Sequence, residues 1–241
     1  MKLKSISLTT AMALAGLLAL TPAAQATSLK ITGWAFQGQG DMEFNLSGAV
    51  FEKDVPAGGF MASLDKGPSF VTYCVDLSQT FSFNKAYDVT QWSPVGDPLK
   101  WYTPATALNL SKLFATAGAV TNRVQSAAMQ LAIWEIVTGD PAKPYSLSTT
   151  TNGIKAVSNG GTQSNRSYEN TAITTANGWL KNMANATPQN DVYVLYSKCF
   201  QDQLLLVPGN GGFTPNVPEP ESWAMMLAGL GMVGLFARRR A

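Results

Sequence analysis

The chain has 241 residues, 46% of them hydrophobic, with 17 basic and 15 acidic side chains and no histidine. Without histidine there is no Ser/His/Asp or Cys/His constellation, no usual general base and no common metal ligand, which argues against a hydrolase and against a metal centre. Lys2, Lys4, Arg238, Arg239, Arg240, Glu219 and Glu221 lie near the ends, and what remains carries 12 basic and 13 acidic residues, so nothing predicts a nucleic-acid partner.

Both ends read as targeting segments. Lys2 and Lys4 precede an apolar run over 6–20, and Ala24-Gln25-Ala26 supplies a small-x-small cleavage pattern. This predicts a signal peptide over 1–26, removed on export through the Sec route. At the other end an uncharged apolar run over 223–237 is followed by Arg238-Arg239-Arg240. The run is short for a hydrocarbon core that needs about 20 helical residues, so it predicts a transient inner-membrane anchor with its arginines on the cytoplasmic side. Between them, 27–208 is long enough for one domain with its own core, and 209–217 reads as a tether.

Within the domain the first half is mainly β. Residues 28–36, 42–51 and 59–63 alternate as strands, with Pro56-Ala57-Gly58-Gly59 as a turn. Residues 69–77, rich in aromatic and β-branched side chains, predict a buried strand, and 87–92 another. Thr103-Pro104 opens a helix over 105–117 that closes at Gly118. Thr121 is the expected cap of a second helix running to Val137, stopped by Gly139 and Pro141. Residues 146–169, crowded with Ser, Thr, Asn and Gly, read as a long surface loop. A third helix over 170–186 and strands at 191–196 and 200–207 complete an α+β domain, a β-rich sheet or sandwich interrupted by a helical insert.

The second helix holds an oddity. From Ala127 to Val137 only Gln130 and Glu135 are polar, so the helix is apolar almost all round and predicts burial. A buried primary amide needs a partner. Glu135 reads as a surface charge.

At the C-terminus, Pro218-Glu219-Pro220, the apolar span and Arg238, Arg239 and Arg240 stand in the order of the PEP-CTERM sorting signal of Gram-negative bacteria, which this segment, 218–241, resembles. The resemblance implies exosortase as partner, removal of the tail, and a destination at the cell surface or outside the cell.

Two cysteines in an exported chain also allow a Cys74–Cys199 disulfide, which would suit a passive biofilm-matrix or non-covalent binding domain. A second resemblance points elsewhere. Tyr73-Cys74-Val75 on a strand, followed by Gln130-Leu131-Ala132-Ile133-Trp134 on a buried helix, resembles the thioester domain of bacterial surface adhesins. It implies a covalent bond from the Cys74 sulfur to the Gln130 carbonyl, with Tyr73, Asp76 and Trp134 around it. Such a chain needs no cofactor. It is a single-use covalent binder rather than a turnover enzyme, directed at an amine or hydroxyl of a surface protein or polysaccharide.

Overall fold

The computed structural model describes residues 27–49, 52–92 and 102–208; the signal peptide, tether and sorting segment expected from the sequence lie outside them. In chain order the described residues form β1 (Thr27–Trp34), β2 (Glu43–Gly48), β3 (Glu52–Pro56), β4 (Phe60–Leu64), β5 (Ser69–Thr72) and β6 (Ala86–Trp92). Then come α1 (Pro104–Ala117), α2 (Arg123–Thr138), β7 (Ile154–Ser158), α3 (Gln163–Asn182), β8 (Asn190–Tyr196) and β9 (Gln203–Pro208). The class is α+β, the one expected.

Six strands make one antiparallel sheet in the order β5-β4-β1-β6-β8-β9, and β3-β2-β7 make a second. The two edges of the larger sheet meet. Beyond Thr72 the chain leaves β4 and pairs with β9 instead: Leu204 donates its N–H to the Tyr73 carbonyl, Val75 donates to Asp202, and Cys74 bridges Gln203. The Thr72 hydroxyl adds a bond of 2.6 Å to the Leu204 carbonyl. The long strand predicted over 69–77 is therefore two short pairings in one extended run, and Cys74 sits at the seam where the sheet closes.

Each helix starts on a side-chain cap. Thr103, Asn122 and Thr162 accept the N–H of Thr106, Gln125 and Asn165 respectively. The cap of α2 is thus Asn122 and not Thr121, whose own N–H and hydroxyl go to the Gln125 side chain. Gly118 ends α1 at φ 62°, a left-handed position that suits glycine. α2 is enclosed by α1, α3 and β7, so every residue from Ser126 to Ile136 is buried.

Two expectations need correction. The turn at 56–59 is preceded by a separate strand, β3, antiparallel to β2. The segment 146–169 is not one loop: it contains β7 and the first turns of α3. β7 buries Ile154 and Ala156 while Lys155 and Val157 face out, a two-residue period too short to stand out among polar neighbours. Glu169 is buried within α3, where its carboxylate accepts the N–H of Glu43 at 3.1 Å and of Gly160 at 2.6 Å, tying the helix to β2.

Candidate functional site

The site is assembled from the sheet seam and the middle of α2. Gln130 projects from the buried helix and is 1% exposed; Cys74 is 2% exposed. The Gln130 amide lies against the Cys74 main chain like one rung of a ladder. Cys74 donates its N–H to Gln130 Oε1 at 3.0 Å, and Gln130 Nε2 donates to the Cys74 carbonyl at 2.7 Å. Both halves of the amide are satisfied, which meets the demand that burial makes of it. α2 is fixed in depth by Ser126, whose Oγ accepts the Gly59 N–H at 2.8 Å. A side chain at Gly59 would come within 3.0 Å of the Tyr73 ring and 2.9 Å of Val71, so the close approach of these strands needs glycine there.

The Cys74 thiol donates to the Asp76 carbonyl at 3.2 Å. Burial pushes the thiol up, and the Asp76 and Asp202 carboxylates add to the rise, while the Trp134 side chain and the Asp76 main chain oppose it. Cys199 is exposed, and both cysteines are free thiols, so the disulfide alternative is not formed here.

Above this pair opens a cleft of about 400 Å³. Trp34 and Phe60 stack at 4.6 Å between ring centroids, and Phe81 and Phe83 pack edge-on against them and each other. These four rings line the cleft together with Trp134, Cys74 and Gln130. Asp54 is the one acidic residue among its lining residues, which include no basic one. Two buried polar atoms of the lining have no hydrogen-bond partner: Gln79 Oε1 and Trp134 Nε1. The wall carrying Gln79 is held by Gln201, whose Nε2 donates to the carbonyls of Asp76 and Gln79.

Of the residues that the sequence assigned to the environment of the pair, Trp134 reaches the cleft. Tyr73 does not line it; its ring packs near Phe114, and burial pushes its hydroxyl up to about 12, opposed by Ser126. Asp76 contributes its carbonyl, while its carboxylate accepts from the N–H and hydroxyl of Ser78. Trp34, Phe60, Gln79, Phe81, Phe83 and Gln201 were missed. The only local signal was Phe81-Ser82-Phe83, two aromatics in an otherwise polar stretch. Glu135 is corrected outright: it is 0% exposed and accepts the N–H of Ser146 at 2.9 Å and of Ile154 at 2.6 Å. Among the described residues no group of three or more His, Cys, Asp or Glu side chains comes together to hold a metal.

Beyond the described residues, 216–240 match the PEP-CTERM protein-sorting motif. The chain carries an exosortase sorting signal. This motif implies exosortase as processing partner and indicates export to the surface of a Gram-negative bacterium. No curated protein matches the sequence. Among solved structures the chain is similar to the N-terminal domain of the Streptococcus pyogenes pilus tip adhesin Cpa, at 12% identity and TM-score 0.40, over 74% of this chain and 98% of that one. It is also similar to the N-terminal thioester domain of fibronectin-binding protein SfbI from Streptococcus pyogenes, at 10% identity and TM-score 0.39, over 71% and 96%. Among the described residues no helix is long and apolar enough to cross a membrane.

Proposed function

We propose that Cys74 and Gln130 form an internal thioester, and that the exported domain uses it once, to couple covalently to a nucleophile on a surface target. The observation that carries this reading is the reciprocal pairing of the Gln130 amide with the Cys74 main chain at the floor of an open cleft. The Cys74 N–H already rests on Gln130 Oε1, where negative charge develops when sulfur attacks the amide carbon. In that step the Sγ–Cδ bond forms and the Cδ–Nε2 bond breaks. The thiol proton passes to nitrogen, and ammonia leaves.

The coupling step runs in the same sense. A target amine or hydroxyl adds to Cδ, its proton goes to the departing sulfur, and the chain is left joined through the Gln130 acyl group with Cys74 free. Gln79 Oε1, buried without a partner in a residue of the cleft wall, is the acceptor assigned to the incoming N–H or O–H. An alcohol needs a base to reach useful nucleophilicity, whereas a neutral amine does not. The chain has no histidine, and Asp54 is the only carboxylate among the residues lining the cleft, which favours an amine. Coupling consumes the thioester, so the domain is a covalent binder and not an enzyme.

The test is the intact mass of the exported domain without reductant. The expected result is loss of one ammonia, absent from Cys74→Ala and Gln130→Ala, and gain of methylamine when that amine is added. An unmodified mass, or loss of two hydrogens that disappears in Cys199→Ala, overturns the reading.

A further inference from the structure

Trp134 stands one helical turn beyond Gln130 on α2, so the two side chains leave the helix on the same face. The indole is only 3% exposed, yet it helps to line the same cleft as Cys74 and Gln130. Its Nε1–H meets no acceptor in bonding geometry. Buried indole N–H groups ordinarily have a partner, and an idle one is costly. Cys74 lines the same cleft, and the Trp134 side chain acts on its thiol to favour the ionised form. A neutral thiol or a thioester sulfur is a weak acceptor, and a thiolate is a strong one. The contact therefore gains strength as charge builds on sulfur, which is the condition for accelerating a step rather than merely binding its reactant.

We infer that the Trp134 indole N–H is a catalytic donor to Cys74 Sγ, stabilising the sulfur as it leaves Gln130 during coupling and, by reversibility, as it attacks Gln130 during thioester formation. This rests on the thioester reading above. In coupling, the bond from the target nitrogen to Cδ forms and the Cδ–Sγ bond breaks with its electron pair on sulfur. Trp134 holds that pair until the proton shed by the target nitrogen arrives. Of the other groups near the sulfur, the Asp76 main chain also favours its charge, whereas the Asp76 and Asp202 carboxylates oppose it. The Cys74 N–H is committed to Gln130 Oε1.

Trp134→Phe in a Cys199→Ser background keeps the ring and removes the donor. Methylamine incorporation, followed by intact mass, is expected to slow by about 10- to 100-fold relative to the Cys199→Ser parent. A parent that never loses ammonia overturns the thioester reading and this role with it. A parent that loses ammonia while Trp134→Phe reacts at the parent rate overturns the inference alone. A second measurement does not need the thioester: the pH profile of Cys74 alkylation by iodoacetamide in Gln130→Ala, with and without Trp134→Phe. The thiol is expected to titrate at higher pH without the indole N–H, and an unmoved profile overturns the inference.

Discussion

The carboxylate of Glu135 accepts the main-chain N–H of Ile154 at 2.6 Å, joining the last turn of α2 to the first residue of β7. Its other oxygen takes the Ser146 N–H at 2.9 Å, so one side chain holds the middle of the connection between helix and strand as well as its far end. Glu135→Ala leaves those N–H groups buried without acceptors and is expected to cost about 2–5 kcal/mol, measured by urea unfolding.

The same residue gives the domain a pH signature. Burial raises the Glu135 carboxyl above its ordinary value, against the lowering effect of the Ser146, Ile154 and Gly153 main chain. The folded state therefore holds this proton more tightly than the unfolded chain does. Its contribution to stability is full below the unfolded pKa and is lost as pH rises through the folded one. Unfolding free energy measured from acid to neutral pH should fall more steeply for the parent than for Glu135→Gln, which has no proton to lose.

Gly153 is the place where this carboxylate tolerates least change. An added Cβ would lie 2.4 Å from Glu135 Oε2 and 2.7 Å from the Glu135 carbonyl. Gly153→Ala is expected to destabilise by about 1–3 kcal/mol through forced displacement, read as a lower urea midpoint with unchanged slope.

Gln130→Glu separates the fold from the chemistry. The carboxylate keeps an acceptor for the Cys74 N–H but loses the donor to the Cys74 carbonyl, and it has no ammonia to release. The variant should remain folded, about 1–3 kcal/mol less stable, with an intact mass equal to its sequence and no methylamine uptake.

Phe83 bears on target choice. It is 41% exposed and packs edge-on to Phe81 at the cleft. Phe83→Ala should leave stability within about 0.5 kcal/mol. The ratio of benzylamine to methylamine coupling rates should fall about 2- to 10-fold, as expected for loss of one aromatic contact.

Cys74 and Gln130 were legible because each stands inside a short run whose burial is visible locally: an aromatic strand and a helix with no polar face. The same logic holds for Glu135. A helix apolar all round leaves no surface for a charge to face, so Glu135 had to be buried on the argument that buried Gln130. The cleft was beyond reach for a different reason. Trp34 comes from β1, Phe60 from β4, Phe81 and Phe83 from the β5–β6 connection and Trp134 from α2, and only the tertiary pairing of those segments brings the rings together. β7 was hidden by its brevity and by the polar residues around it, since a strand held by Glu135 and β2 needs little hydrophobic pattern of its own.

The seam between the two edges of the large sheet has a mechanical side. β9 ends at Pro208, and the chain beyond leads toward the sorting segment at 216–240. With a target held at Gln130, a pull from the C-terminal side travels lengthwise along β9 to Gln203, beside Cys74. The bonds that resist it run crosswise: the six paired positions with β8 on one side, and the Tyr73, Val75 and Thr72 contacts on the other. They are loaded in shear, all at once, rather than peeled one after another, so tension meets crosswise bonds at the joint that places Cys74 against Gln130.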